Sequence, residues 1–212
     1  LCLFNVTMQN HSSYDDTDYT FEDPVKLTNM TLQPEAEQYL SLIKMSDDAL
    51  KDLIAYFEKV KDPVIIVLFG DHQPHLPDYF YQKVMGEMPD NLSQKDAMKR
   101  YQVPFMIWAN YDIQETEISQ ISINYLSTLM TETAGLELTD YQKFLLDMYQ
   151  YIPSITANGF YDRQGNLYSW DDLDEADDEI QKWIREYRIL QYNYLFDGEH
   201  RKDAHYQLEN NK

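Results

Sequence analysis

Apolar residues fall into short runs and helical stripes along this chain, and the two patterns alternate. "LFNVTM" (Leu3–Met8) is an apolar, β-branched run that ends in the polar pair Gln9-Asn10, and it reads as a buried strand. The segment Ser12–Pro34 is polar, carries two prolines and has no sustained period, so it reads as a long surface loop. From Glu35 to Lys59 the positions Leu40, Ile43, Leu50, Leu53, Ile54 and Phe57 recur at helical spacing, with acids at the start and lysines near the end to suit the helix dipole. Asp62-Pro63 stops that helix. Val64–Phe69 is apolar on both faces, the mark of a central strand in a sheet covered by helices on both sides. Strand, helix, strand predicts an α/β fold. A charged helical segment follows at Gln94–Arg100, then a strand at Val103–Asn110. Helices are predicted at Ile121–Ala134, ended by Gly135, and at Asp140–Tyr151, ended near Pro153. Gly159–Trp170 has the alternation of a small hairpin. The acidic run Asp171–Glu179 then leads into a last helix with Ile180, Trp183, Ile184, Tyr187 and Leu190 as its buried stripe. The chain from Gly198 to Lys212 is a polar tail, expected to fray. There is no internal repeat.

Composition narrows the classes. The 212 residues suffice for one large domain or for part of a larger one. Apolar residues make up 43% and aromatics 14%, with 18 Tyr, which is enough material for a core. A formal charge of −20 argues against nucleic acid as a partner and against an anionic lipid surface, unless a metal or a local basic pocket intervenes. The single Cys2 excludes an internal disulfide framework. No apolar run approaches the roughly 18 to 20 residues that span a bilayer, so the chain as given reads as soluble. It opens inside an apolar run and without Met, which makes a fragment with sequence upstream the expectation.

The chemistry concentrates in "VIIVLFGDHQPH", Val64–His75, where six apolar residues run straight into Gly-Asp-His. In open α/β sheets, reactive groups gather where strands end at their C-terminal edge. A carboxylate and a neutral imidazole are suitable donors for zinc, manganese or a similar divalent ion. On an irregular loop the adjacent Asp71 and His72 can both turn toward one ion, which neighbours within a strand cannot. The plainer alternative is a turn in which Asp71 caps a following helix and His72 is exposed. His11 also follows an apolar strand and is either a third member of such a site or an ordinary loop residue. His75 is close enough in sequence for a supporting or substrate contact, and its plain alternative is a solvated loop residue. His200 and His205 lie in the polar tail.

These residues carry a resemblance. "FNVTMQNHSSY", the helix "YLSLIKMSDDALKDLIAYFEK" and "PVIIVLFGDHQP" resemble the C-terminal half of the sulfatase-type phosphoglycerol transferases, the lipoteichoic acid synthase group of the alkaline phosphatase superfamily. "VPFMIWAN", "ISINYLSTLMTETAGLELTDYQKFLLDM" and "IPSITANGFYD" are similar to the rest of that half, so the likeness spans most of the chain. It implies part of an alkaline phosphatase-like sandwich over residues 1–197, with a mostly parallel central sheet flanked by helices and a small C-terminal hairpin. It implies that Asp71 and His72 ligate a catalytic divalent cation, usually manganese in that group, with zinc, magnesium or calcium as alternatives. His11 aligns with a histidine that contacts the transferred phosphoglycerol group or its leaving oxygen, and His75 is assigned to substrate contact.

In such enzymes a Thr attacks, or a modified Cys or Ser in true sulfatases. No nucleophile motif matches here: Thr7 lies within the predicted strand, and Ser12-Ser13 follows His11 without the family pattern. The nucleophile and the other acidic ligands are expected upstream of Leu1. A cation normally takes at least three protein ligands, so the chain alone is expected to be inactive, to bind metal weakly, and to self-associate through surfaces meant for the missing half. The resemblance places the parent enzyme on a membrane stem with this domain outside the cell, acting on a phosphoglycerol, lipid or glycan substrate. Two other classes stay open: a sulfuric-ester hydrolase or phosphodiesterase of the same superfamily, and a non-catalytic cell-surface binding module. Trp108, Trp170 and Trp183 favour packing over sugar stacking. The acidic run lacks the Gly and terminal Glu of a calcium loop.

Overall fold

A computed structural model describes residues 1–16, 20–30 and 33–208. Of the predicted long loop, residues 17–19 and 31–32 lie outside the described residues, as do residues 209–212 of the tail. The chain divides into two compact units, Leu1–Tyr111 and Asp112–Lys212.

The first unit is built on α1 (Pro34–Phe57), β1 (Ile65–Phe69), α2 (Asp78–Met85), α3 (Gln94–Lys99) and β2 (Phe105–Ala109). Helix α1 forms where the spacing predicts, but its apolar stripe is not enclosed: Leu40, Leu50, Ile54 and Phe57 are half-buried and Ile43 and Leu53 are exposed, while the buried residues of the helix are Ala36 and Ser41; Pro34 occupies a first-turn position where its missing N–H is no loss. Strands β1 and β2 pair antiparallel, with Ile65 opposite Ala109 and Phe69 opposite Phe105. The pairing observed is thus the reverse of the mostly parallel sheet expected, although the α/β class holds. The faces of β1 are half-buried rather than enclosed, and Leu68 is 48% exposed.

No strand forms at Leu3–Met8. Leu3, Phe4, Val6 and Met8 are exposed, and no described strand lies alongside to pair with their backbone groups. A β-branched run is half of a strand; a partner supplies the other half. Helix α2 was not anticipated because its eight residues are too few for a stripe. It opens after Pro77 and ends at Gly86, whose φ of +88° gives a left-handed cap.

Asn110 ties the first unit together. Its Nδ2 donates to the carbonyls of Phe57, Val60 and Asp62 at 3.2, 3.0 and 2.9 Å, and its Oδ1 accepts from the Val64 N–H at 2.8 Å. One side chain therefore satisfies carbonyls left over at the end of α1 and fixes the start of β1. A small core of Tyr14, Ala36, Leu76 and Tyr81 joins α1, α2 and two loops.

The second unit contains α4 (Ile123–Thr133), α5 (Asp140–Tyr149), β3 (Ser154–Thr156), β4 (Gly159–Tyr161), β5 (Leu167–Tyr168) and α6 (Asp178–Leu195). The predicted hairpin is present as β4 and β5, and β3 adds a third antiparallel strand. Thr139 and Gln142 form a reciprocal cap on α5, and Asp177 caps α6 by accepting from the Ile180 N–H at 2.9 Å. The acidic run thus serves as a helix start. Ile180, Ile184 and Tyr187 are buried as expected, packing with Tyr125, Leu145, Met148, Ile152 and Phe160, while Trp170 and Trp183 pack against that core. Among the described residues of the tail, Tyr206 donates to the Leu190 carbonyl at 2.8 Å and its ring lies 4.8 Å from that of Tyr194.

Candidate functional site

The site starts at the end of β1. Gly70 donates its N–H to the Pro104 carbonyl at 3.1 Å, continuing the strand pairing by one rung. A Cβ at Gly70 would stand 2.9 Å from Val103 Cβ, so the segment leading into β2 can approach this closely only because residue 70 has no side chain. Past Gly70 the chain leaves the sheet, and Asp71 and His72 stand on the loop with side chains 77% and 65% exposed.

That loop is anchored at three points. The Gln73 amide donates to the Gln102 carbonyl, the Tyr81 hydroxyl donates to the Pro74 carbonyl, and Leu76 is buried in the small core. The loop carrying His11 is held by the same core. Tyr14 is buried there and donates its hydroxyl to the Asn10 carbonyl at 2.8 Å. Asn10 also exchanges hydrogen bonds with Ser46 of α1, at 2.9 and 3.1 Å. Two segments some sixty residues apart in sequence therefore share one foundation, and His11 and His72 meet above it with ring centroids 6.5 Å apart and planes at 84°.

The hydrogen bonds set which face each imidazole offers. His72 Nδ1 is 2.8 Å from the Gln73 carbonyl and His11 Nδ1 is 3.0 Å from the Ser12 carbonyl. A carbonyl only accepts, so each Nδ1 carries the hydrogen, and each neutral ring keeps its Nε2 lone pair free. A backbone carbonyl on one ring nitrogen is the usual support for a histidine that ligates or accepts through the other. Asp71 is divided in the same way. Its Oδ1 accepts from the His72 N–H at 2.9 Å, and its Oδ2 lies 3.6 Å from His72 Nε2. That separation exceeds hydrogen-bond range. It agrees with two donors each about 2.1 Å from one ion, which stand roughly 3.0 to 3.6 Å apart for angles of about 90° to 120°. By donor type and spacing the pair fits part of a divalent-cation site. Among the described residues, no group of three His, Cys, Asp or Glu is arranged to hold a metal.

Of the residues singled out in the sequence, Asp71, His72 and His11 come together. His75 is on the same loop and exposed, and makes no hydrogen bond among the described residues. Asp71 does not cap α2, which begins seven residues later. His200 instead pairs with Asp197 at 2.8 Å in the second unit. The positioning residues Asn10, Tyr14, Ser46 and Gln73 were not foreseen. "NH" before a polar loop was the only local signal, and Ser46 is 36 positions from its partner.

The chain is similar to known proteins. A Rhizobium meliloti protein provisionally described as a cyclic beta-1,2-glucan modification protein is 28% identical over 205 residues, covering 92% of this chain and 31% of that protein. The Streptococcus pyogenes phosphoglycerol transferase GacH, solved in complex with sn-glycerol-1-phosphate, superposes with a TM-score of 0.62 at 17% identity, over 92% of this chain and 46% of its own. The chain thus spans about a third of the curated relative and under half of the solved one. The latter superposition gives the alkaline phosphatase-like sulfatase fold. The Sulfatase family profile matches residues 2–136, which include His11, Asp71 and His72, and this chain is accordingly a member of the sulfatase family.

Proposed function

We propose that this chain is part of a metal-dependent phosphoglycerol transferase of the sulfatase family. Asp71 and His72 supply two ligands to a divalent cation, manganese in the first instance. His11 contacts the transferred phosphoglycerol group or its leaving oxygen, and His75 contacts substrate. The observation that carries this reading is the pairing of His11 and His72 at 6.5 Å, each with Nδ1 tied to a backbone carbonyl and Nε2 free. The likeness to a phosphoglycerol transferase that binds sn-glycerol-1-phosphate supports the transferred group. The relative described as modifying a cyclic glucan supports a glycan acceptor at the cell envelope.

A bound divalent cation supplies Lewis-acid stabilisation of charge on the transferred phosphoryl oxygens. The chain's own part is to orient. Gln73 holds the His72 ring, the Asn10–Ser46 pair holds the loop of His11, and Gly70 sets where the carboxylate leaves the sheet. His11 Nε2 is free to accept a proton from, or to donate one when protonated to, an oxygen of the transferred group. The attacking group and the remaining ligands belong to residues outside this chain, so the chain alone is expected to be inactive. The parent is read as membrane-anchored with this domain outside the cell; among the described residues no helix is long and apolar enough to cross a membrane.

The test is transfer of labelled phosphoglycerol by the intact enzyme. Asp71→Asn and His72→Gln are expected to lower kcat by about a hundredfold or more, and His11→Gln by a similar factor. Turnover of sulfate esters with no phosphoglycerol transfer would instead identify a hydrolase. An intact fold with neither metal nor turnover would identify a binding module.

A further inference from the structure

Helix α6 turns Ile180, Ile184 and Tyr187 into the core of the second unit, yet its outer side is not simply polar. Arg185, Ile189, Tyr192 and Phe196 follow one another at spacings of four, three and four residues, which keeps them on one stripe, the pattern of helices that pair side by side. Ile189, Tyr192, Phe196 and the flanking Leu195 are 60% to 73% exposed. A groove of about 590 Å³ lies along the stripe, with Gln181 and Arg185 among its lining residues towards the start of the helix and Tyr192 and Asp197 towards its end. The rings of Tyr192 and Phe196 stand 5.8 Å apart and form an aromatic surface at that end. Charge is divided along the same line. Arg185 and Arg188 have no ion pair among the described residues, and Arg188 lies over the Trp170 ring, 4.9 Å from its centroid. Asp197 and Glu199 follow the end of the helix.

We propose that this face of α6 pairs two copies of the chain, helix against helix and antiparallel, about a twofold axis between Leu190 and Gln191. That register sets Ile189 against the partner's Tyr192, and Arg185 against the partner's Phe196 as a cation over an aromatic ring. It also brings the unpaired arginines towards the acidic residues and the negative dipole end that close the partner's helix. A parallel pair would set Arg185 against Arg185. The stripe therefore complements itself only in the antiparallel sense: its arginine end and its aromatic end stand equally far from the axis, and each copy supplies what the other lacks. At the exposures given, and with roughly 150 to 250 Å² for a whole aromatic side chain, the four apolar residues offer about 500 Å² per copy and about 1,000 Å² for the pair, the lower limit of a specific interface before the arginines are added. The pairing is independent of the phosphoglycerol-transfer reading.

The test is sedimentation equilibrium of this chain in metal-free buffer. A monomer–dimer equilibrium is expected, with a Kd of about 100 μM or tighter. Tyr192→Glu, at an exposed position, places a carboxylate in the middle of the seam and is expected to weaken the dimer about tenfold or more. Phe196→Arg sets two arginines opposite each other and is expected to do the same; adding Arg185→Phe to it exchanges the partners and is expected to restore the dimer to within about threefold of the unaltered chain. The other exposed apolar run, at Leu3–Met8, is the control: Phe4→Ser/Val6→Ser is expected to leave the Kd within about twofold. A chain that stays monomeric up to about 500 μM, a dimer lost in Phe4→Ser/Val6→Ser but kept in Tyr192→Glu, or a Phe196→Arg defect that Arg185→Phe does not relieve would each overturn the proposal.

Discussion

Replacing Asn110 by Ala removes two N–H donors shared among three carbonyls, together with one acceptor, and the consequence can be worked from their placement. The Nδ2 group reaches three carbonyls at the end of α1 and the turn beyond it, and Oδ1 holds the first N–H leading into β1. A net hydrogen bond in a protein contributes about 1 kcal/mol, and a half-buried group left unpaired adds about 1 to 3 kcal/mol. Water can reach part of this turn, because Asp62 is exposed. The loss is therefore placed at about 2 to 3 kcal/mol. At about 1.4 kcal/mol per factor of ten, amide exchange in β1 should accelerate roughly 30- to 150-fold when measured through opening of the first unit. Asn110→Asp should be worse at neutral pH. The introduced carboxylate can still accept from the Val64 N–H, but it points a negative oxygen at carbonyls that had received a donor. Hydrogen–deuterium exchange followed by peptide mass reads both variants, with α6 in the second unit as the internal reference. Exchange in Ile65–Phe69 that changes less than about twofold, or that changes equally in α6, would refute the reasoning.

Other expectations are more local. Gly70→Ala puts a methyl 2.9 Å from Val103 Cβ and should lower stability by about 1 to 3 kcal/mol in a urea titration; Val103→Ala in the same chain should recover most of it, and failure to recover would show the clash lies elsewhere. Burial pushes the phenols of Tyr125 and Tyr141 above their ordinary value near 10, Tyr125 while it donates to the Ile152 carbonyl at 2.7 Å. A folded-state value raised above the unfolded one gives stability that is whole below pH 10 and is lost as the pH climbs beyond it. The second unit should thus weaken above pH 10, with the late phenolate absorbance appearing together with unfolding; ionisation of every tyrosine near 10 with the fold intact would contradict this.

What the sequence revealed and what it concealed divide by the range of the interaction. Helix α1 and the buried face of α6 follow from spacing within each segment, and the departure of Asp71 and His72 from a strand end follows from six apolar residues meeting Gly-Asp-His. The failed strand at Leu3–Met8 had the right residues, but strand formation depends on a neighbour that no local pattern supplies. The antiparallel run of β2 against β1 was hidden for the same reason. Asn110 read as the last residue of a strand, and nothing near it announced that it would gather carbonyls some fifty positions away. In the site, the three reactive residues were legible by type and position, whereas the Asn10–Ser46 and Tyr14–Leu76 supports that bring His11 to His72 are long-range and were not.

The central claim is that Asp71 and His72 begin a divalent-cation site with His11 beside it. Manganese is paramagnetic, so a titration watched by NMR reports on each of the five histidine rings even when binding is weak. The His200–Asp197 pair, at 2.8 Å in the second unit, is a built-in comparison of the same composition. The account predicts that the His72 ring signals broaden first, His11 next, and His200 and His205 only at much higher manganese, with the His72 effect lost in Asp71→Ala. Broadening of His200 at or before His72, or His72 broadening that survives Asp71→Ala unchanged, would contradict it.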